Sequence, residues 1–165
     1  MKTTDITRDQ VIEFVKARHA NTVLGKLGVE YTSFDPDAVT VEVPVSEALF
    51  QHAGIVHGGV YVLLAESVAS TAAALTVDMT QVDVLGLEIN ANHLRAVTSG
   101  TVSATATAVH RGRMTHVYTV DVKDADGRLV CTSRCTLAIR PKAGDSHPAK
   151  DMAAKDMAST AESKT

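Results

Sequence analysis

The sequence predicts an α+β domain in which one antiparallel sheet of about six strands curls round a single long central helix. Two patterns lead there. Residues 55–77 contain no Lys or Arg, and Glu66 is their only carboxylate, so a helix in that segment is apolar nearly all round and needs a sheet or a partner chain wrapped about it. Two alternating runs precede the segment and four follow it, the period-2 signature of strands buried on one face. Composition suits such packing. Hydrophobic residues make up 45% of the chain but aromatics only 4%, and roughly 23 Ala and 22 Val supply small side chains that let a helix lie close inside a curved sheet.

Residues 7–20 place Val11, Ile12, Phe14, Val15 and Ala17 at helical spacing, with Thr and Asp ahead of them as caps. Residues 27–46 change to alternation, with Val39, Val41, Val43 and Val45 on one face and Thr40 and Glu42 on the other. Asp35-Pro36-Asp37 supplies the turn, so this stretch reads as a hairpin. The apolar helix follows over 55–77. Four strands are then expected over 86–94, 101–109, 115–122 and 129–139. In the second of these Val102, Ala104, Ala106 and Ala108 alternate with Ser and Thr, and Asp124-Ala125-Asp126-Gly127 closes a later hairpin with Gly placed for a positive φ. Cys131 and Cys135, the two cysteines, share one strand face roughly 13 Å apart, too far to bridge. They read as small hydrophobes of a reduced protein.

With 165 residues the chain suits one domain. We place it at residues 1–141, followed by a disordered tail over 142–165, where charges cancel and the pentapeptide AKDMA occurs twice in tandem. A net charge of −3 gives no footprint for nucleic acid, and no apolar block is long enough to predict a membrane span. The first ten residues lack the apolar core of a secretion signal, which predicts a cytoplasmic protein.

Glu66 is the residue to question first. A carboxylate in an apolar helix either lies on a solvated stripe or faces a cavity that uses its ionisation. Ser70 lies one helical turn on, and His57-Gly58-Gly59 stands where the helix should begin. The first N–H groups of a helix lack intrahelical partners, glycine leaves room for a ligand, and the helix dipole is positive there. Those three features make a candidate oxyanion hole for acyl transfer. The same two glycines also fit a simpler need for room as the chain turns into the helix. Gly58 and Glu66 are eight residues apart, roughly 12 Å along a helix axis, so one thioester carbon could hardly touch both. A site using both would join the Gly58 N–H of one subunit to the Glu66 of another. Other chemistries lack their motifs: there is no GxSxG, GxGxxG, P-loop, HExxH or CxxC. His52 and His57 have no recognised metal-ligand spacing, so no metal is expected.

Gln51-His52-Ala53-Gly54-Ile55-Val56-His57-Gly58-Gly59, followed by Leu64-Ala65-Glu66-Ser67, resembles the active-site signature of hotdog-fold acyl-CoA thioesterases. Within them it is similar to the 4-hydroxybenzoyl-CoA thioesterases of the Arthrobacter type. Residues 86–95, Gly-Leu-Glu-Ile-Asn-Ala-Asn-His-Leu-Arg, resemble the matching strand of 1,4-dihydroxy-2-naphthoyl-CoA hydrolases of menaquinone synthesis and of their carrier-protein proofreading paralogues. The resemblance covers about residues 20–140. It implies a hotdog fold, a homotetramer built as a dimer of dimers with sites at the dimer interface, an acyl-CoA substrate, and neither metal nor organic cofactor.

Carried over by position, Glu66 is the implied nucleophile or general base and the Gly58 N–H the group that polarises the thioester carbonyl. His57 and Gln51 stand beside Gly58, and Ser70 assists from the Glu66 side. His93, Arg95, Ser67 and Gly59 are the implied substrate-binding residues, while Arg111, Arg113 and Arg140 are candidates for the phosphates of CoA because guanidinium forks match phosphate oxygens. Two positions depart from the pattern: Ala96 stands where many relatives have Pro, and Ser70 where the 4-hydroxybenzoyl branch has Thr. The expected activity is hydrolysis of an aromatic acyl-CoA, foremost 1,4-dihydroxy-2-naphthoyl-CoA. The alternatives are a broad housekeeping or phenylacetyl-type acyl-CoA or acyl-carrier thioesterase, a non-hydrolytic acyl-CoA binding module, and a hotdog dehydratase.

Overall fold

The computed structural model describes residues 7–142. Helix α1 (Arg8–Arg18) opens on a capping box: the Thr7 hydroxyl accepts the Gln10 N–H, and the Gln10 side-chain oxygen accepts the Thr7 N–H at 2.8 Å. A short helix α2 (Val23–Lys26) leads into strands β1 (Glu30–Ser33) and β2 (Val39–Pro44), the expected hairpin. The long helix α3 (Gly58–Ala74) follows, and then β3 (Val82–His93), β4 (Thr101–Arg111), β5 (Thr115–Lys123) and β6 (Leu129–Pro141). The six strands form one sheet in the order β1-β2-β4-β5-β6-β3, antiparallel at every pairing. This is the hotdog arrangement that the sequence resemblance implies.

α3 packs against β2, β3, β4, β5 and β6. Its inward face is Leu64, Ala65, Val68, Ala69, Ala72 and Ala73, all fully buried, and the strands answer with Val41, Val43, Ala104, Ala106, Val120 and Leu137, also fully buried. Alanine on both sides of the contact brings helix and sheet close together, and the valines fill the flanks at interior density. The Tyr31 hydroxyl and the Thr71 hydroxyl, 2.9 Å apart, tie β1 to the helix.

The ends of two elements differ from expectation for local reasons. α3 begins at Gly58 rather than residue 55 because Val56 bridges Phe50 in extended geometry and His57 serves as the N-cap. β3 begins at Val82, four residues before Gly86. The glycine reads as a boundary in sequence but sits inside the strand, next to a β-bulge that leaves Leu87 out of register with β6. Gly127 takes the expected positive φ, +76°. Cys131 and Cys135 are both buried, free thiols.

β3 forms one edge of the sheet. It is twelve residues long and poorly covered, with Leu85 39% and Leu87 61% exposed. Lys142, the first residue of the expected tail, is held to the domain through its N–H on the Gln81 carbonyl and its ammonium on the Met79 carbonyl. The rest of that tail lies outside the described residues. No helix among the described residues is long and apolar enough to cross a membrane.

Candidate active site

The N-terminus of α3 is built by the turn before it. The Gln51 N–H donates to the Ile55 carbonyl, the Gln51 side-chain oxygen accepts the Ala53 N–H at 2.6 Å, and Gly54 closes the turn at φ +76°. The His57 N–H then donates to the Leu49 carbonyl at 2.8 Å, which fixes the line on which the helix starts. His57 caps that start with its own ring, Nδ1 accepting the Gly59 N–H at 2.8 Å. Gly59 is therefore already bonded within the chain. The Gly58 N–H meets no acceptor among the described residues and remains the donor available at this helix end.

A cleft of about 300 Å³ opens here, and it collects Gln51, Gly58, His93 and Arg95 together with Tyr61. His93 covers Gly58 closely: its Nε2 would lie 2.7 Å from a Cβ at that position. Glycine is thus needed for the approach of a ring 35 positions along the chain, a stronger reason than room to turn. Arg95 donates to the Leu129 carbonyl at 2.7 Å, which holds it at the rim. Tyr61 is 2% exposed, its ring centroid is 5.9 Å from that of His93, and its hydroxyl has no partner among the described residues. Burial raises the Tyr61 phenol above its ordinary range, so the hydroxyl keeps its proton. Sequence reasoning passed over Tyr61 because an aromatic at helical spacing reads as core.

Glu66 lies elsewhere. Eight residues along α3 it is exposed, and its Oε1 rests against Gly86 of β3, nearer than any Cβ there would tolerate. Ser70 is partly buried one turn further on. Ser67 gives its hydroxyl to the Leu63 carbonyl at 2.7 Å, within the helix. Beneath this region burial, with the Glu66 and Glu88 charges, pushes the Cys135 thiol up to about 11, so it is not a nucleophile. One chain therefore holds two polar groups apart, an N–H donor end with Gln51, Gly58 and His93 and a carboxylate with Ser70, roughly 12 Å from each other along α3.

The three arginines fare differently. The Arg111 guanidinium is docked within the chain: it bonds Asp37 at 2.7 Å and the Pro36 carbonyl at 2.6 Å, with the Tyr118 ring beneath it. Arg113 is exposed and lines a hollow of about 380 Å³ beyond the C-terminal end of α3, together with Gln81, Gly112 and His116. Arg140 is exposed near the end of β6. His116 is 4% exposed, and its Nδ1 has no partner among the described residues. Burial first, and the Arg111 charge second, lower its pKa below the ordinary 6.5.

Comparison with known proteins shows the family. Residues 53–131 match the thioesterase superfamily model. The 1,4-dihydroxy-2-naphthoyl-CoA hydrolase of Listeria monocytogenes is 42% identical over 116 residues, 70% of this chain and 94% of that protein. The proofreading thioesterase EntH of Cronobacter turicensis is 36% identical over 132 residues, 80% of this chain and 96% of that one. Among solved structures, thioesterase HI1161 of Haemophilus influenzae superposes with a TM-score of 0.75 at 36% identity, over 88% of this chain and 98% of that one. The curled antiparallel sheet with its long helix, and relatives of this similarity over most of their length, together place the chain in the thioesterase superfamily, as a thioester hydrolase of hotdog fold.

Proposed function

We propose that the protein hydrolyses the aromatic thioester 1,4-dihydroxy-2-naphthoyl-CoA to the free acid and CoA, in sites shared by two subunits. The observation that carries this reading is the division of the chemistry between two half-sites that a single chain holds apart. An antiparallel α3 from a second subunit brings a partner carboxylate to the Gly58 end. The open edge of β3, with Leu85 and Leu87 exposed, is the surface on which a second copy would continue the sheet and cover apolar area. Two such dimers make the tetramer that we expect in the cytoplasm.

In this reading the thioester carbonyl oxygen accepts the Gly58 N–H at the positive end of α3, and negative charge grows on it as the carbon becomes tetrahedral. Gln51, His57 and His93 surround that position with Arg95 on the substrate side, and Arg113 and Arg140 meet the phosphates of CoA. Glu66 attacks the carbon directly, or takes a proton from a water that attacks, with Ser70 holding the water. The carbon–sulfur bond then breaks and the thiolate leaves as CoA. Direct attack passes through an anhydride on Glu66, so acid quench during a single turnover with labelled acyl group traps the acyl group on the protein at Glu66, whereas general-base attack never attaches it there.

The resemblance of residues 86–95 to carrier-protein proofreading paralogues, with a proofreading thioesterase among the relatives, favours a second substrate form, an aryl group carried on a protein rather than on CoA. Thiol release measured over a panel of aryl-CoA, alkyl-CoA and aryl-carrier thioesters tests both readings. A kcat/KM highest for 1,4-dihydroxy-2-naphthoyl-CoA supports the first, and a carrier thioester in first place replaces it with the second. No thiol released from any member would overturn both.

A further inference from the structure

Resting on the reading of Glu66 as the group that attacks or activates water, we infer that Gly86 of β3 is the positioning residue for the Glu66 carboxylate. The backbone does not call for glycine at this point, because Gly86 is not among the residues with positive φ, and glycine inside a strand weakens it. What calls for glycine is the space. An ideal Cβ at position 86 would fall on Glu66 Oε1, far inside any permitted contact, and the next atom it would meet is the Glu66 carboxyl carbon at 3.5 Å. The carboxylate thus points one oxygen end-on at the bare Cα of an edge strand, and no donor among the described residues holds it there.

A second feature points the same way. The bulge that follows Gly86 pushes Leu87 out of register with β6, and bulges bend a strand and re-aim what lies beside it. Gly86 and the bulge beside it thus give the strand a bare, bent stretch, a shelf against which the Glu66 carboxylate rests. Any side chain at 86 lifts the carboxylate off that shelf by roughly half an ångström or more. Because the atom that must yield is the far end of a flexible side chain, the fold itself is spared.

The test is Gly86→Ala in the full chain. The expected result is a Tm within about 4 °C of wild type, a KM within about twofold, and a kcat lower by about tenfold or more, the order of loss that small misplacements of a reacting group produce. In a crystal structure of the variant the Glu66 carboxylate should be displaced. Glu66→Asp, one methylene shorter, no longer reaches position 86. In that background, with single turnovers measured at excess enzyme, adding Gly86→Ala should change the rate by less than about twofold. A carboxylate that stays in place, a kcat close to wild type, or an equal loss in both backgrounds would overturn the inference. Failure of the reading on which it rests shows separately, as a Glu66→Gln variant that turns over at the wild-type rate.

Discussion

Equal amounts of Glu66→Ala and Gln51→Ala protein, each inactive alone, are expected to recover about a quarter of wild-type activity once their subunits exchange. The figure follows from the geometry of α3 and from symmetry. Gly58 and Glu66 stand eight residues apart on one straight helix, roughly 12 Å along its axis. A carbon within about 3.5 Å of both a donor and a nucleophile spans little more than half that distance, so a complete site takes its two halves from different chains. Random pairing makes about half of the dimers mixed, and in each mixed dimer one of two sites has both Gln51 and Glu66 intact. The variants are mixed after mild denaturation and refolding, heterodimers are counted by native mass spectrometry with one variant isotopically labelled, and thiol release is followed with aryl-CoA. Heterodimers present at the statistical level with no activity above either parent would refute the shared site.

Further expectations concern groups whose surroundings set their protonation. His116 is held neutral by burial and the nearby Arg111 charge, so its native pKa lies below the 6.5 of the unfolded chain. The unfolded state then binds the proton more readily, and stability is full above pH 6.5, falls as the pH drops below it, and stops falling below the native value. Urea midpoints between pH 8 and 5 should show that loss in wild type and a smaller one in His116→Gln. The Cys135 thiol, up at about 11 and 1% exposed, and the buried Cys131 should resist iodoacetamide at pH 8 until the protein is unfolded; rapid alkylation of the native protein would refute this. Tyr61→Phe removes a buried hydroxyl that has no partner among the described residues. Its unfolding free energy should therefore stay within about 1 kcal/mol of wild type or rise, and a loss of several would point to an unseen partner.

Much of the fold is legible because its signals are local. The valines at 39, 41 and 43 alternate and are all buried on β2, and the charge-free segment around Glu66 is the helix that the sheet enwraps. Gly58 and Glu66 are legible for the same reason, since helix spacing alone sets them apart. Most of what the sequence does not show depends on residues far apart in the chain. Arg111 reads as a free phosphate ligand, yet Asp37, 74 positions away, occupies its fork. For Gly58 the sequence offers an oxyanion donor or room for the chain to turn, and does not show that the ring pressing on it is His93. Gly86 reads as the start of a strand because the carboxylate that fills its space arrives from another element. Ser67 and Gly59 look available in sequence, and bonds to neighbours a few residues away take up both groups.

Everything proposed for this chain turns on the Glu66 carboxylate as the group that drives thioester cleavage. Glu66→Gln keeps the size and exposure of the side chain and removes its ability to attack or to take a proton. Thiol release from 1,4-dihydroxy-2-naphthoyl-CoA at saturating substrate is expected to fall by about 100-fold or more, the usual worth of an acid–base group, with folding unchanged. A folded Glu66→Gln protein that releases CoA at the wild-type rate would show that the chemistry resides in some other group.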